Sequence, residues 1–268
     1  MIGRTNLERI PPKTINMNKI LVIDVGNTRV VLALFEKGKI IYKNYFLTKI
    51  DNIKMELTRI IPELNINGIC MASVVPRVGN EIQSICQKSF SIPFVNITSQ
   101  TDLGLTFLVP HPHYLGADLL VNAFAAIHKY GTSCLIFDLG TATTIQLIGK
   151  EGLFFGYNII PGLKIGMQSL FTNTSLLTEF NISPTKDLLG LDTKNAVLTG
   201  VIQSHVFIIK GFIQSIFESY TQIGDITTLV TGGNTSYVLE LLPQHVIFDP
   251  ELTLEGLHLA STKFLVTN

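Results

Sequence analysis

The chain carries no excess of charge of either sign. Twenty basic and twenty acidic side chains balance over 268 residues, and charged residues make up only 15% of the sequence. Gripping a nucleic-acid backbone by charge takes a basic excess or a run of Lys and Arg, so no nucleic acid is expected as a partner. Cysteine is scarce. Cys70, Cys86 and Cys134 are odd in number, widely spaced and mostly set in apolar runs. They give neither a disulfide framework nor a paired metal-ligand spacing, and they predict buried thiols in a reducing, cytoplasmic setting. No apolar stretch reads as long and clean enough to span a bilayer, so no membrane partner is expected. Residues 1–16 lack an apolar signal core and include Pro11-Pro12. They read as a disordered extension or as a start site placed too early, with Met17 directly before the first strand. Arginine is absent after Arg77. The second half must therefore bind anions with Lys, His, hydroxyls and backbone amides.

Against this low-charge background, with 46% of residues hydrophobic, one pattern occurs twice. Ile20 to Val25 is an apolar run ending in Asp24-Val-Gly26-Asn-Thr28, and Cys134 to Leu139 ends in Asp138-Leu-Gly140-Thr141. A second apolar run follows each: Val30 to Phe35, and Thr144 to Ile148. Each copy reads as strand, glycine turn, strand. Glycine lets the backbone turn tightly and approach a ligand with no Cβ in the way. The hydroxyl and amide side chains add donors beside the backbone N–H groups, and the Asp adds a carboxylate for a cation or a phosphate-bound water. A buried Asp without a partner is costly, so a ligand or a donor set is expected at both. An Asx-type turn holding the hairpin is the structural alternative. Two such turns facing each other would hold nucleotide phosphates between two related halves.

Between the repeats, Lys39–Phe46 alternates as a strand, Lys54–Leu64 reads as a helix, and Asn67–Val75 reads as a buried strand stopped by Pro76. Asn80–Phe90 reads as a helix and Pro93–Ile97 as a strand. Strands and helices thus alternate after the opening hairpins. Thr98–Tyr114, rich in Pro and His, reads as a loop before a helix from Gly116 to Tyr130. Past the second hairpin, Gly156–Gly162 reads as a turn leading to a helix near Lys164–Leu170. Asn195–Ser219 reads as a long apolar helix. Ile226–Gly233 reads as a strand with a double-glycine turn, and Asn234–Leu242 and Leu254–Phe264 as helices. The division expected is residues 1–16 as an extension, 17–115 as the first half and 116–268 as the second.

Twinned Asp-x-Gly turns followed by a strand-Gly-Gly turn resemble the actin-like kinase superfamily. Within it the chain resembles the type III pantothenate kinases, over essentially Met17 to the C-terminus. Asp24-Val-Gly-Asn-Thr28 is similar to that family's first phosphate motif, and Asp138-Leu-Gly-Thr-Ala142 to its second. Ser73-Val-Val-Pro76, Gly116-Ala-Asp118, Pro161-Gly162 and Thr231-Gly-Gly233 match further family turns in order. The resemblance implies an α/β, duplicated actin-like (ribonuclease H-like) fold with two related halves around a nucleotide cleft. It implies phosphorylation of pantothenate by ATP, with Mg2+ and a monovalent cation (K+ or NH4+), in a homodimer. It makes Asp118 the general base that takes the proton of the attacking hydroxyl. A helix N-terminus would tend to keep that carboxylate ionised. The resemblance places Asp24, Val25, Gly26, Asn27, Thr28, Arg29, Val30, Val31 and Thr141 at the nucleotide and Asp138 at the monovalent cation. Val109, Gly116, Ala117, Leu119 and Thr193 fall at the acceptor.

The departures lie on the acceptor side. Leu119 stands where the family has an Arg, Val109 where it has a substrate-contacting Tyr, and Tyr157 where it has a Gly. Leu cannot make the bidentate clamp of a guanidinium, and the lost contact could cost on the order of 2–3 kcal/mol. His111, His113 and Lys164 are the nearest candidates for replacement by sequence; the alternative reading, favoured by sequence alone, makes His111 and His113 plain loop residues. A weak or inactive relative acting as a regulator, like the Bvg accessory factor of the same family, and a kinase for another small hydroxyl compound are the alternatives. The lost arginine carries one expectation: Leu119→Arg should lower the KM for pantothenate.

Overall fold

The computed structural model describes residues 19–48 and 50–265; the expected extension and Met17 lie outside them. The chain opens with β1 (Lys19–Val25), β2 (Arg29–Glu36) and β3 (Lys39–Leu47). Next come α1 (Ile50–Ile60), β4 (Gly68–Ser73), α2 (Pro76–Ser89) and β5 (Phe94–Ile97). A short β6 (Thr106–Phe107) precedes α3 (Ala117–Tyr130). The motif then repeats as β7 (Ser133–Leu139), β8 (Ala142–Ile148) and β9 (Leu153–Pro161). After it come α4 (Leu163–Asn173), α5 (Thr193–Ser219), β10 (Ile226–Thr231), β11 (Ile247–Phe248) and α6 (Leu252–Phe264).

The two sheets have the same plan. The first is ordered β3-β2-β1-β4-β5 and the second β9-β8-β7-β10-β11, with β6 added beside β9. In each, the opening strands pair antiparallel and the later ones parallel. This is the duplicated α/β architecture expected. Strand alternation divides the apolar residues between faces. Leu21, Ile23 and Val25 face an outer core with Ile53, Leu57, Val78 and Ile82 of α1 and α2. Leu135, Phe137 and Leu139 face another with Leu163, Met167, Ile202 and Val206 of α4 and α5. The opposite faces, with Ile20, Val22, Cys134 and Ile136, share one inner core with α3 and α6. The three thiols are fully buried, as expected.

Several elements differ from the sequence reading. Pro76 does not merely stop β4; it begins α2, because a missing N–H costs nothing at the first helical position. Gly156–Pro161 is strand, not turn, since pairing with β8 holds it extended. Thr98–Tyr114 contains β6 and a 3-10 turn at Pro112–Tyr114. Asn234–Leu242 forms two 3-10 turns rather than one helix. One helix among the described residues, α5, is long and apolar enough to cross a membrane, contrary to the sequence reading. Its Ile202, Val206 and Ile209 are buried against the second sheet, as in a core helix.

Candidate active site

The two glycine turns touch. Thr28 Oγ1 and Thr141 Oγ1 share a hydrogen bond of 2.8 Å. The first turn is closed by Gly26 N–H donating to Arg29 O (3.0 Å), and Thr48 braces it by donating from Oγ1 to Gly26 O (2.8 Å). Asn234 braces the second, its N–H on Leu139 O (2.9 Å) and its Nδ2 on Gly140 O (2.7 Å). Two further glycines abut that turn. A Cβ on Gly162 would overlap Thr141 O and stand 2.8 Å from Gly140 O. Gly232 has φ +90°, and a Cβ there would overlap Asp138 Oδ1 and stand 2.6 Å from Leu139 N. Only glycine fits both the space and the left-handed backbone there.

Beneath the turns lie Asp24, Asp118 and Asp138, all half-buried. Burial, then the charges of Asp118 and Asp138, push the Asp24 carboxyl up to about 7. Burial and the charge of Asp118 push Asp138 up to about 6, against a 3.0 Å hydrogen bond from Asn122 Nδ2. Asp118 is also raised by burial, against hydrogen bonds from the backbone N–H of Leu119 (2.8 Å) and its own. Burial therefore outweighs the helix N-terminus expected to keep Asp118 ionised. Neither Asp24 nor Asp138 accepts a hydrogen bond from its own turn among the described residues, so the Asx-turn alternative is not what holds the hairpins.

The other predicted residues are distributed unevenly. Asn27, Thr28, Arg29 and Thr141 are exposed at the turns, with the Arg29 guanidinium 4.7 Å from the centre of the Tyr45 ring. Val25 and Val30 are 0% exposed in the outer core and offer only backbone, while Val31 packs on the inner core. Gly116 caps α3, Ala117 is buried, and Val109 packs half-buried on the inner core. Leu119 is 3% exposed in that core. Its side chain is committed to packing, so an Arg at this position would have to leave the core before it could approach the acceptor. Thr193 is exposed at the start of α5, with no hydrogen bond to a cleft residue among those described.

Sequence similarity decides the family. A profile of type III pantothenate kinases matches residues 20–215. A type III pantothenate kinase of Bacillus cytotoxicus is 32% identical over 249 residues, covering 90% of this chain and 94% of the relative. The chain belongs to the type III pantothenate kinase family. Solved structures agree on the fold. A Campylobacter jejuni protein assigned as a Baf family transcriptional activator superposes with TM-score 0.58 at 19% identity, over 91% of this chain and 98% of that one. A Sinorhizobium meliloti protein assigned as a 2-dehydro-3-deoxygalactonokinase gives 0.56 at 10% identity, over 91% and 96%.

In this member of the pantothenate kinase family, sequence reasoning missed several supporting residues. Asn122 holds Asp138 and is itself held by Thr253 Oγ1, which donates to its Oδ1 (2.6 Å). Its spacing from Asp118 was the available signal, since residues four apart share a helix face. Thr48 and Asn234 had no such signal, because each reaches its turn from a distant part of the chain.

Proposed function

We propose that the chain transfers the γ-phosphoryl group of ATP to the primary hydroxyl of pantothenate, giving 4'-phosphopantothenate, the first step of coenzyme A biosynthesis. The observation that carries this is the meeting of two glycine turns over three desolvated carboxylates, in a chain of this family. The N–H groups and hydroxyls of Asn27, Thr28 and Thr141 supply donors for phosphate oxygens. Asp118 takes the proton of the attacking hydroxyl; a carboxylate whose proton affinity is raised is the stronger base once ionised. Little else is needed, because phosphoryl transfer rests on positioning and charge neutralisation.

The residues fit cations. Asp24 and Asp138 are desolvated, partly open and pushed toward protonation by neighbouring carboxylates, and a bound cation relieves that repulsion. Among the described residues no three His, Cys, Asp or Glu converge as a metal group, so phosphate, carbonyl or water oxygens complete any coordination. In this reading Asp24 holds Mg2+ with the nucleotide and Asp138 a monovalent cation. Mg2+ supplies neutralisation of the phosphate charge. The working form is a cytoplasmic homodimer, with Thr193 beside the acceptor at the subunit boundary. A coupled ATP-turnover assay with pantothenate, Mg2+ and K+ tests the proposal. Pantothenate-dependent ADP release is expected, and its absence at any cation composition would count against the reading.

A further inference from the structure

Resting on the pantothenate reading, we propose that His111 and His113 form the subsite for the acceptor's carboxylate and so set its specificity. The floor of the cleft is acidic, with the carboxylates of Asp24, Asp118 and Asp138 half-buried beneath the turns. A carboxylate on the acceptor is repelled from that floor and must point away from it. In an extended pantothenate the reacting hydroxyl and the carboxylate are about 10 Å apart, from ordinary bond lengths. The anion therefore ends at the rim.

The chain path carries the segment with the two histidines toward that rim. β6 runs parallel to β9, with Thr106 opposite Leu153 and Phe107 opposite Phe154, and Leu108 N–H donates to Phe154 O at 3.0 Å. The chain thus leaves β6 heading along β9 toward Pro161, whose neighbour Gly162 abuts Thr141. It then makes the 3-10 turn at Pro112–Tyr114 and enters α3, where Asp118 is the second residue. His113 precedes Asp118 by five positions, at most about 17 Å of extended chain and less in a turn.

The side chains there are suited to an anion. His111 and His113 are exposed, with ring centroids 5.7 Å apart at 69°. Tyr114 backs both, at 6.1 Å from His111 and 4.2 Å from His113. Neither imidazole makes a hydrogen bond among the described residues. Each can donate an N–H, and at this separation one donor from each can reach the two oxygens of a single carboxylate. Two other cations stand at the glycine turns, on the phosphate side. Arg29 follows Thr28 and lies over the Tyr45 ring at 4.7 Å, and Lys164, two residues after Gly162, lies 5.8 Å from the Tyr237 ring centre. Leu119 is packed in the core.

The test is steady-state kinetics with pantothenate and with its alcohol analogue, in which CH2OH replaces the carboxylate. Wild-type protein is compared with His111→Gln/His113→Gln and with His113→Arg, after thermal melts show the variants folded. The double variant should raise the KM for pantothenate about tenfold or more, the loss expected of hydrogen bonds to a charged group. Its kcat and its KM for ATP should stay within about twofold, the analogue's KM should not move, and His113→Arg should retain tight pantothenate binding. An equal rise for both acceptors marks a structural role and overturns the subsite, as does no rise at all. Wild-type turnover of both acceptors at one KM overturns the subsite alone. Turnover of neither overturns the pantothenate reading and the subsite with it.

Discussion

At position 118 two influences oppose each other: burial raises the carboxyl's proton affinity and two backbone N–H groups lower it. Asp118→Asn keeps the size and loses the ability to take a proton. Turnover should fall by at least about a hundredfold while nucleotide binding is preserved, measured by steady-state rate and by titration of an ATP analogue. Unchanged turnover would remove Asp118 from the chemistry. The next residue behaves differently. Leu119 is 3% exposed in the inner core, and a guanidinium there would be buried without a partner. Leu119→Arg should therefore lower the melting temperature by several degrees, as a loss of about 2 kcal/mol or more would, instead of tightening pantothenate. A well-folded variant with a lowered KM would refute this. The sequence names both residues, but only packing tells which way each points. One step along a helix turns a side chain from the cleft into the core.

At the scale of elements, the hairpins were legible because their apolar runs and Asp-x-Gly turns are local. β9 was not: Gly156 and Pro161 look like turn residues, and it is pairing with β8 that holds them in a strand. Pro76 looks like a stop in the sequence because a proline ends a strand and opens a helix equally well, and the turn of α2 after it decides between the two. The double-glycine turn after β10 was legible in sequence, but its task was not. Gly232 lies at φ +90°, with the Asp138 carboxylate and the Leu139 backbone where a side chain would be. Gly232→Ala should destabilise the fold by about 1 kcal/mol or more and displace Asp138. If Asp138 holds the monovalent cation, activation by K+ over Na+ should shrink in this variant. A Gly232→Ala protein with wild-type melting and K+ activation would separate the turn from the site.

The whole molecule is held by the layer between its sheets. α3 and α6 pack together there, and Lys129 and Tyr130 of α3 bind the buried Asp249 at 2.8 Å each, just before α6. Cleft carboxylates act on the stability of this assembly through pH. Asp24 holds its proton more tightly folded (about 7) than unfolded (3.8). The stability it lends is fully present below the unfolded value and is lost as pH rises through about 7. Asp24→Asn removes this loss, so its melting temperature should exceed wild type by more at pH 8 than at pH 5. An equal difference at both values would show that Asp24 does not titrate in this window. The order of the chain adds a consequence in time. Ile20, Val22, Ala33, Phe35, Cys70 and Ala72 of the first sheet share their core with Leu252, Leu254, Leu257 and Ala260 of α6. A ribosome finishes the first sheet long before it makes the helix that covers it. During synthesis that apolar face has to wait until α6 has been made, and a chain cut short before Leu252 should aggregate and not fold as a working first half.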